Sequence, residues 1–215
     1  MKTNKRFCCF CGDGRFHFNN KVGLPSIESV VYNDDHVFAM PDIAPFVEGH
    51  YLIVSEKHLL SFGEADSETR QSLIKAKSYL ENSKLLKGRR LLSFEHGSVS
   101  SINSVCIEHA HTHILPIPED VDITQIDNFI CKNPAVNNEK IKVDRESLAL
   151  YTINNQPYVY YEINDESWMY PVSTPLLPQF SRRLIAYILG INEFRWGDMC
   201  KLPEFQEKFR KSMCI

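Results

Sequence analysis

Three of the eight histidines in this chain stand on alternate positions of one short segment, and that spacing constrains the fold more than any other feature. The segment reads Glu108-His109-Ala110-His111-Thr112-His113-Ile114-Leu115-Pro116. A β-strand sends alternate side chains to the same face about 6.5–7 Å apart, whereas a helix would turn successive imidazoles about 200° from one another. The spacing therefore predicts a strand that presents three imidazoles in a row.

Two kinds of chemistry fit such a row of imidazoles. A His-x-His pair on a strand can bind one metal ion. Alternatively, one imidazole can attack a phosphorus atom while its neighbours donate hydrogen bonds to the phosphate oxygens. The residue types alone leave both open.

Composition excludes some classes of partner. The 215 residues carry a net charge of -3, which gives no general attraction to nucleic acid or to an anionic membrane. No apolar run approaches the roughly 18 residues of a membrane span, and the basic start Met1–Arg6 precedes no apolar segment of a signal peptide. We therefore expect a cytoplasmic protein with no membrane partner and no sequence-specific nucleic-acid partner.

The cysteines indicate a reducing compartment. There are seven, an odd number, and three of them lie in Cys8-Cys9-Phe10-Cys11. The Cys8-x-x-Cys11 spacing lets two thiolates reach one tetrahedral ion, but two further ligands must then come from elsewhere in the chain. Free buried thiols and a redox pair are the alternatives.

The first half of the chain predicts a hairpin, a loop, a strand and a helix. Runs at 28–33 and 36–40 flank a turn at Asn33-Asp34-Asp35, and a Pro-containing loop with Asp42 leads to His50 and the strand Tyr51–Val54. Residues 66–87 predict a helix that starts at Asp66 or Ser67 and stops before Gly88. We expect the basic residues of this region to form a solvated face: Lys75, Lys77, Lys84, Lys87, Arg89 and Arg90.

The second half predicts a different succession of elements. A helix at Val121–Lys132 precedes three strands, a second helix and an amphipathic tail. The expected bounds are Leu148–Ile153, Pro157–Ile163 and Trp168–Val172 for the strands, Gln179–Leu189 for the helix and Pro203–Met213 for the tail.

The run His109-x-His111-x-His113-Ile114-Leu115 resembles the signature of the histidine triad (HIT) superfamily of nucleotide hydrolases and transferases. Upstream, the segments Asp42-Ile43-Ala44-Pro45 and Gly49–His58 are similar to the family's acidic turn and the strand that follows it. The resemblance covers residues 7–118. It implies an α+β fold, a HIT-like antiparallel β-sheet with a long helix packed on it. Residues 119–215 would be a C-terminal extension, a β-meander and helix packed on the same core, and the protein would be a homodimer.

The resemblance also implies roles for particular residues. His111 would attack the α-phosphorus of a nucleoside polyphosphate, of the dinucleoside polyphosphate type, or of a phosphoramidate, and form a nucleotidyl-histidine. His113 and His50 would donate hydrogen bonds to the phosphate oxygens. Asp42 would accept a hydrogen bond from the ribose, although a carboxylate in a loop is more often a turn residue. The remaining nucleotide-binding candidates are Phe10, Phe38, Met40 and Ser104.

Several bacterial members of the family complete a Cys-x-x-Cys pair with two histidines. The matching residues in this chain are His58, at the end of the upstream strand, and His109, the first of the triad. The resemblance therefore implies a structural zinc held by Cys8, Cys11, His58 and His109.

The segment before the triad departs from the short family members. They carry Gly-Gln-Ser shortly before the first histidine, where this chain has Ser104-Val105-Cys106, while Phe94-Glu95-His96-Gly97 resembles a longer bacterial branch. The resemblance as a whole leads us to expect a hydrolase, with a phosphorylase or nucleotidyltransferase on the same scaffold as an alternative. The altered segment keeps a weakly catalytic nucleotide- or RNA-binding module as a second alternative. Arg182 and Arg183 would contact a phosphate or belong to the surface.

Overall fold

A computed structural model describes residues 8–12, 20, 29–98, 108–144 and 156–215. Within these ranges eight strands form one sheet in the order β1-β2-β3-β5-β4-β7-β8-β6, and all neighbours are antiparallel. The strands are β1 (Tyr32–Asn33), β2 (Val37–Pro41), β3 (Tyr51–Ser55), β4 (Leu91–Gly97), β5 (His111–Pro116), β6 (Ile141–Lys142), β7 (Tyr158–Ile163) and β8 (Glu166–Pro171). The predicted α+β class with an antiparallel sheet is confirmed.

The described helices lie on both faces of this sheet. They are α1 (Ser67–Glu81), α2 (Ile123–Cys131), α3 (Phe180–Ile188), α4 (Trp196–Met199) and α5 (Pro203–Ser212), with a 3₁₀ turn at Phe62–Glu64. None of the helices in the described ranges has the length and apolar character needed to cross a membrane.

The first hairpin forms because Asp34 supplies the hydrogen bonds of its turn. Its Oδ1 accepts from the backbone N–H groups of His36 and Val37, both at 2.9 Å. Strand β2 then pairs with β3, and β3 with β5, so the two segments that resemble the HIT motifs lie side by side although some 60 residues separate them.

Because successive side chains of a strand point to opposite sides, the sheet has two faces, and both are apolar. Leu52, Phe94 and Leu115 belong to one buried cluster, together with residues of α2, α3 and α5. Ile53 and Ile114 belong to a second cluster, together with Ala76 and Leu80 of α1. Each face is therefore covered by helices from a different half of the chain.

Helix α1 begins where the sequence predicted and ends earlier. Asp66 is its N-cap, with a side-chain oxygen that accepts from Thr69 N–H at 2.8 Å, but the helix stops at Glu81 rather than at 87. Gly88, with φ of 74°, follows a series of turns instead of ending the helix. The prediction of a solvated basic face is wrong for Lys77, which is buried and paired with Glu162.

The C-terminal half extends the same sheet. Strand β7 pairs with β4 along its whole length, and β8 and β6 follow as the outer strands. The sequence did not predict β6, and the predicted strand Leu148–Ile153 lies outside the described residues. Helix α3 packs against β4 and α2, so the extension covers one face of the central strands.

Gly97, at the end of β4, is a point of close approach. A Cβ at this position would overlap the ring of Tyr158, which is fully buried and whose hydroxyl accepts from Gly63 N–H at 3.0 Å. We expect Gly97→Ala to lower the free energy of unfolding by about 1–3 kcal/mol, because the ring cannot move without losing that bond. Denaturant unfolding measures this. Gly197→Ala, where a Cβ meets nothing within 4 Å, is the control; equal stability of the two variants would contradict the prediction.

Candidate active site

Three imidazoles meet on the face of the sheet opposite α1. His111 and His113 come from β5, and His50 comes from the residue before β3. The ring centroids of His50 and His113 are 5.2 Å apart, and those of His111 and His113 are 5.4 Å apart. His50 and His113 are buried, whereas His111 is partly exposed. The strands thus bring two of the predicted triad residues and His50 into one cluster.

The hydrogen bond of His111 determines which of its ring nitrogens is free. Its Nδ1 lies 2.7 Å from the backbone carbonyl oxygen of His109. A carbonyl only accepts, so Nδ1 carries the proton and Nε2 of the neutral ring keeps its lone pair. Burial lowers the pKa of His111, which favours this neutral form. An imidazole held in this way can act as a nucleophile through Nε2.

A second set of hydrogen bonds orients His113. The backbone N–H of Phe46 donates to Nδ1 of His50 at 3.4 Å, and Nε2 of His50 lies 3.0 Å from Nδ1 of His113. Since Nδ1 of His50 accepts, its Nε2 carries the proton and donates it to His113. Nε2 of neutral His113 must then carry a proton and can donate to a ligand. Burial lowers the pKa of His50 to about 4 and that of His113 well below its usual value, so both rings are neutral near pH 7.

Asp42 lies beside this pair of histidines. Its Oδ1 accepts from the backbone N–H of Ala44 at 2.8 Å and from Nη1 of Arg182 at 2.6 Å. Its Oδ2 lies 3.9 Å from the nearest ring nitrogens of His50 and His113. Burial alone would raise the pKa of Asp42, but the Arg182 guanidinium holds it below its usual value, and the carboxylate is ionised.

Arg182 is buried and bonded to protein groups, so the surface alternative is wrong for this residue, and contact with a phosphate stays a prediction. Arg183 is partly exposed, donates to the carbonyl of Pro178 at 2.8 Å and stacks on Phe194.

The first histidine of the triad belongs to a different cluster. Strand β5 begins only at His111, and the His109 ring lies with Cys8, Cys11 and His58, whose ligand atoms are all within 4.8 Å of one another. Nδ1 of His109 is 3.3 Å from Cys8 Sγ and 3.6 Å from Cys11 Sγ, while its Nε2 is 2.7 Å from the Ser55 carbonyl oxygen. The prediction of three imidazoles in one row is therefore wrong, and the predicted Cys/His cluster is present.

The candidates for the base pocket lie in the interior. Phe10 is buried, with ring centroids 5.7 Å from His109 and 5.6 Å from His111, so it stands between the two clusters. Phe38 and Met40 of β2 are buried in the core on the triad face. Ser104 lies outside the described residues. A nucleotide-binding role for these residues stays a prediction.

Sequence reasoning gave no role to His96. It follows Phe94 by two residues on β4, and Phe94 is paired with His113, so alternation places His96 on the triad face near His111. Burial and the nearby His111 lower the pKa of His96 to about 4. On the neighbouring antiparallel strand His96 follows Phe94 by two residues, just as His113 follows His111. This shared alternate spacing is the sequence signal that could have found His96.

Comparison with known proteins gives the family. Residues 26–120 match the model of the HIT domain. An uncharacterised HIT-like protein of Methanocaldococcus jannaschii is 32% identical over 91 residues, which cover 40% of this chain and 67% of that protein. The chain belongs to the histidine triad (HIT) superfamily.

Solved structures of HIT proteins match part of the chain. A Hit-like protein of Bartonella henselae, described as involved in cell-cycle regulation, is 28% identical and covers 48% of this chain and 78% of its own, with a TM-score of 0.34. Yeast Ap4A phosphorylase Apa2 in complex with Ap4A is 18% identical and covers 74% of this chain and 65% of its own, with a TM-score of 0.44.

The neutral histidines of this HIT site predict a pH-dependent stability. Unfolded histidine titrates near pH 6.5 whereas folded His50 titrates near 4, so its contribution is complete above about pH 6.5 and is lost as the pH falls toward 4. By pH 5 we expect a loss of roughly 2 kcal/mol from this ring. Asp42, whose pKa is lowered from 3.8, changes the stability only at pH values below about 3.8, outside this range.

Chemical unfolding measured between pH 7 and pH 4.5 tests this expectation. His50→Gln should flatten the pH dependence. Phe94→Leu, which loses packing on the same face without removing a titratable group, should be less stable but keep the slope of the parent protein. Equal slopes in His50→Gln and the parent would contradict the assignment.

Proposed function

We propose that this chain is a HIT-type nucleotide hydrolase that acts on a nucleoside polyphosphate or phosphoramidate through a nucleotidyl-histidine intermediate. The observation that carries the proposal is the pair of opposite tautomers on β5. His111 has a free lone pair on Nε2, whereas His113 has an N–H at the corresponding position. One ring can therefore attack phosphorus while the other donates to the phosphate oxygens. Membership of a superfamily of nucleotide hydrolases and transferases supports the same chemistry.

The proposed reaction has two steps. Nε2 of His111 forms a bond to the α-phosphorus, and the bond between that phosphorus and the leaving group breaks, with its electron pair departing on the leaving group. Water then attacks the same phosphorus, the bond to His111 breaks, the proton of the water passes to solvent, and the nucleotide is released. The carbonyl of His109 stabilises the positive ring of the intermediate by accepting from Nδ1.

The surroundings favour a reaction of this kind. Because His113 is buried and neutral and accepts from His50, its Nε2–H is oriented before substrate arrives. Both ring nitrogens of His50 are bonded within the protein, so His50 would act through His113 rather than donate to the phosphate itself, as the resemblance implied. Asp42 Oδ2 lies beside both rings and keeps capacity to accept a hydrogen bond from the ribose.

His111→Ala should abolish formation of the intermediate and lower turnover at least about a thousandfold, because the bond to phosphorus has no other atom to form on. The measurement is the mass of the protein quenched during turnover of a dinucleoside polyphosphate. A nucleotidyl adduct is expected on the parent protein and on His36→Asn, whose ring lies in the first hairpin, but not on His111→Ala.

The same experiment separates the alternatives. An adduct that inorganic phosphate discharges faster than water identifies a phosphorylase, and one passed to another acceptor identifies a nucleotidyltransferase. Binding of nucleotide without any adduct identifies a binding module and overturns the proposal. The homodimer and the cytoplasmic location stay predictions.

The Cys/His cluster supports a structural zinc. Two thiols and two imidazoles are a common ligand set for this ion, and the tautomer of His109 directs its Nδ1 lone pair toward the two sulfurs. A zinc bound here would join the segment of Cys8 and Cys11 to His109, two residues before β5. Because the carbonyl of His109 orients His111 and the Phe10 ring lies against both rings, the cluster would also steady the nucleophile.

Elemental analysis should find about one zinc per chain, and the double variant Cys8→Ser/Cys11→Ser should lose it. We expect this variant also to unfold at a lower temperature, since metal binding contributes to folding free energy. Cys214→Ser, at an exposed thiol, is the matched control and should keep both properties. Purified protein without zinc while Cys8 and Cys11 are reduced would defeat the hypothesis.

A further inference from the structure

The C-terminal extension holds the loop that leads into His50, which we call the acidic loop (residues 42–50). Lys208 Nζ donates to the Phe46 carbonyl oxygen at 2.9 Å, and Gly49 N–H donates to Ser212 Oγ at 2.9 Å. Both partners belong to α5. The loop carries Asp42 at its start and His50 at its end, so its conformation decides how two site residues face each other. Those contacts come from residues outside the matched HIT domain, 26–120.

Arg182 of α3 makes the most buried of these contacts. Its Nη1 donates to Asp42 Oδ1 at 2.6 Å, its Nη2 to the Ala44 carbonyl oxygen at 2.9 Å and its Nε to the Phe194 carbonyl oxygen at 2.8 Å. The guanidinium also lies over the Phe46 ring, 4.4 Å from its centroid. A planar group bonded on three sides holds one orientation, which a lysine ammonium could not reproduce.

The two oxygens of Asp42 are consequently unequal. Oδ1 is occupied by Arg182 and by the Ala44 N–H. Oδ2 points toward His50 and His113 but lies 3.9 Å from their nearest nitrogens, beyond hydrogen-bond distance. An ionised carboxylate oxygen in that position has acceptor capacity to spare, and a ligand hydroxyl entering the cluster can use it.

We propose that Arg182 is a positioning residue of the nucleotide site, which ties one oxygen of Asp42 so that the other is presented to the ribose. This inference rests on the proposed function and deepens it, because it makes the C-terminal extension part of the site that selects ribonucleotides. Without the guanidinium the carboxylate would lose both its counter-charge and its fixed orientation. Selectivity for the ribose hydroxyls should then fall even if the chain stays folded.

The test compares the binding of AMP and 2′,3′-dideoxy-AMP by titration calorimetry. We expect the parent protein to bind AMP about 10- to 100-fold more tightly, the range of a hydrogen bond to a charged acceptor. In Arg182→Met this preference should fall to within about threefold, and Arg182→Lys should recover little of it. Arg183→Met, on the same helix but bonded to Pro178, should keep the preference of the parent.

A double-mutant cycle measures how much stability the pair of Asp42 and Arg182 contributes, and a separate destabilised control distinguishes positioning from stability. Arg182→Met leaves Asp42 as an uncompensated buried charge, so the melting temperature should fall. The pair Asp42→Asn/Arg182→Met removes both charges and should regain part of that loss. Ribose preference should not return with it, since Asp42→Asn and the double variant lack the same acceptor. Phe94→Leu, which loses core packing but keeps Asp42 and Arg182, is the control for stability. A purely structural Arg182 predicts that this variant loses ribose preference in step with its melting temperature, whereas a positioning Arg182 predicts that it keeps the preference of the parent.

The outcomes are distinct. If the parent protein binds neither nucleotide, the proposed function fails. If the parent prefers AMP and a folded Arg182→Met keeps that preference, the proposed function stands and the role of Arg182 is overturned. If the preference is lost in Arg182→Met and retained in Arg183→Met, the role of Arg182 is supported.

Discussion

The register between β3 and β5, in which Leu52 stands opposite His113, is the constraint on which the site depends. Successive residues of a strand point to opposite faces, so a shift of one residue would turn His111 and His113 toward α1 and put Thr112 and Ile114 in their place. The apolar clusters on the two faces fix this register. Each face of the sheet packs against its own helices, so the side chains of one face would not fit in the apolar cluster of the other.

Burial of the imidazoles is what gives them different roles. In water a histidine exchanges between two tautomers and a charged form. Here each ring is held by a group of fixed character, a backbone carbonyl for His111 and a backbone N–H, through His50, for His113. Because burial also disfavours the charged forms, one strand can present an acceptor nitrogen and a donor nitrogen next to each other.

Features set by local chemistry were predictable from the sequence. The hairpin follows from the turn at Asp34, the start of α1 from the cap at Asp66, and the Cys/His cluster from a spacing that the family resemblance completed. The strand of alternate histidines was predicted correctly from His111 onward. His109 differs because the nearby Ser55 carbonyl and the two cysteine sulfurs, which no local pattern places beside it, bind both of its ring nitrogens.

Features set by distant partners were not predictable. Lys77 belongs to a series of lysines in the predicted helix, yet it lies in the interior because it pairs with Glu162, 85 residues away. Arg182 lies 140 residues from Asp42, and a pair of arginines on a helix says nothing about a buried partner. In both cases the buried charge is paired with one specific opposite charge, which is the condition under which burial of a charge is tolerated.

The position of Arg182 bears on what the HIT domain can do by itself. Residues 26–120 contain His50, His111, His113 and Asp42, but neither the guanidinium that neutralises Asp42 nor the thiols that meet His109. In the full chain without this guanidinium, Asp42 would be a buried carboxylate beside two neutral imidazoles, and uptake of a proton from solvent, by the carboxylate or by an adjacent ring, would relieve the buried charge. A protonated Asp42, or a charged His113, ends the arrangement of donors described above. The C-terminal segment therefore preserves the protonation state of the centre of the domain, beyond adding contacts to it.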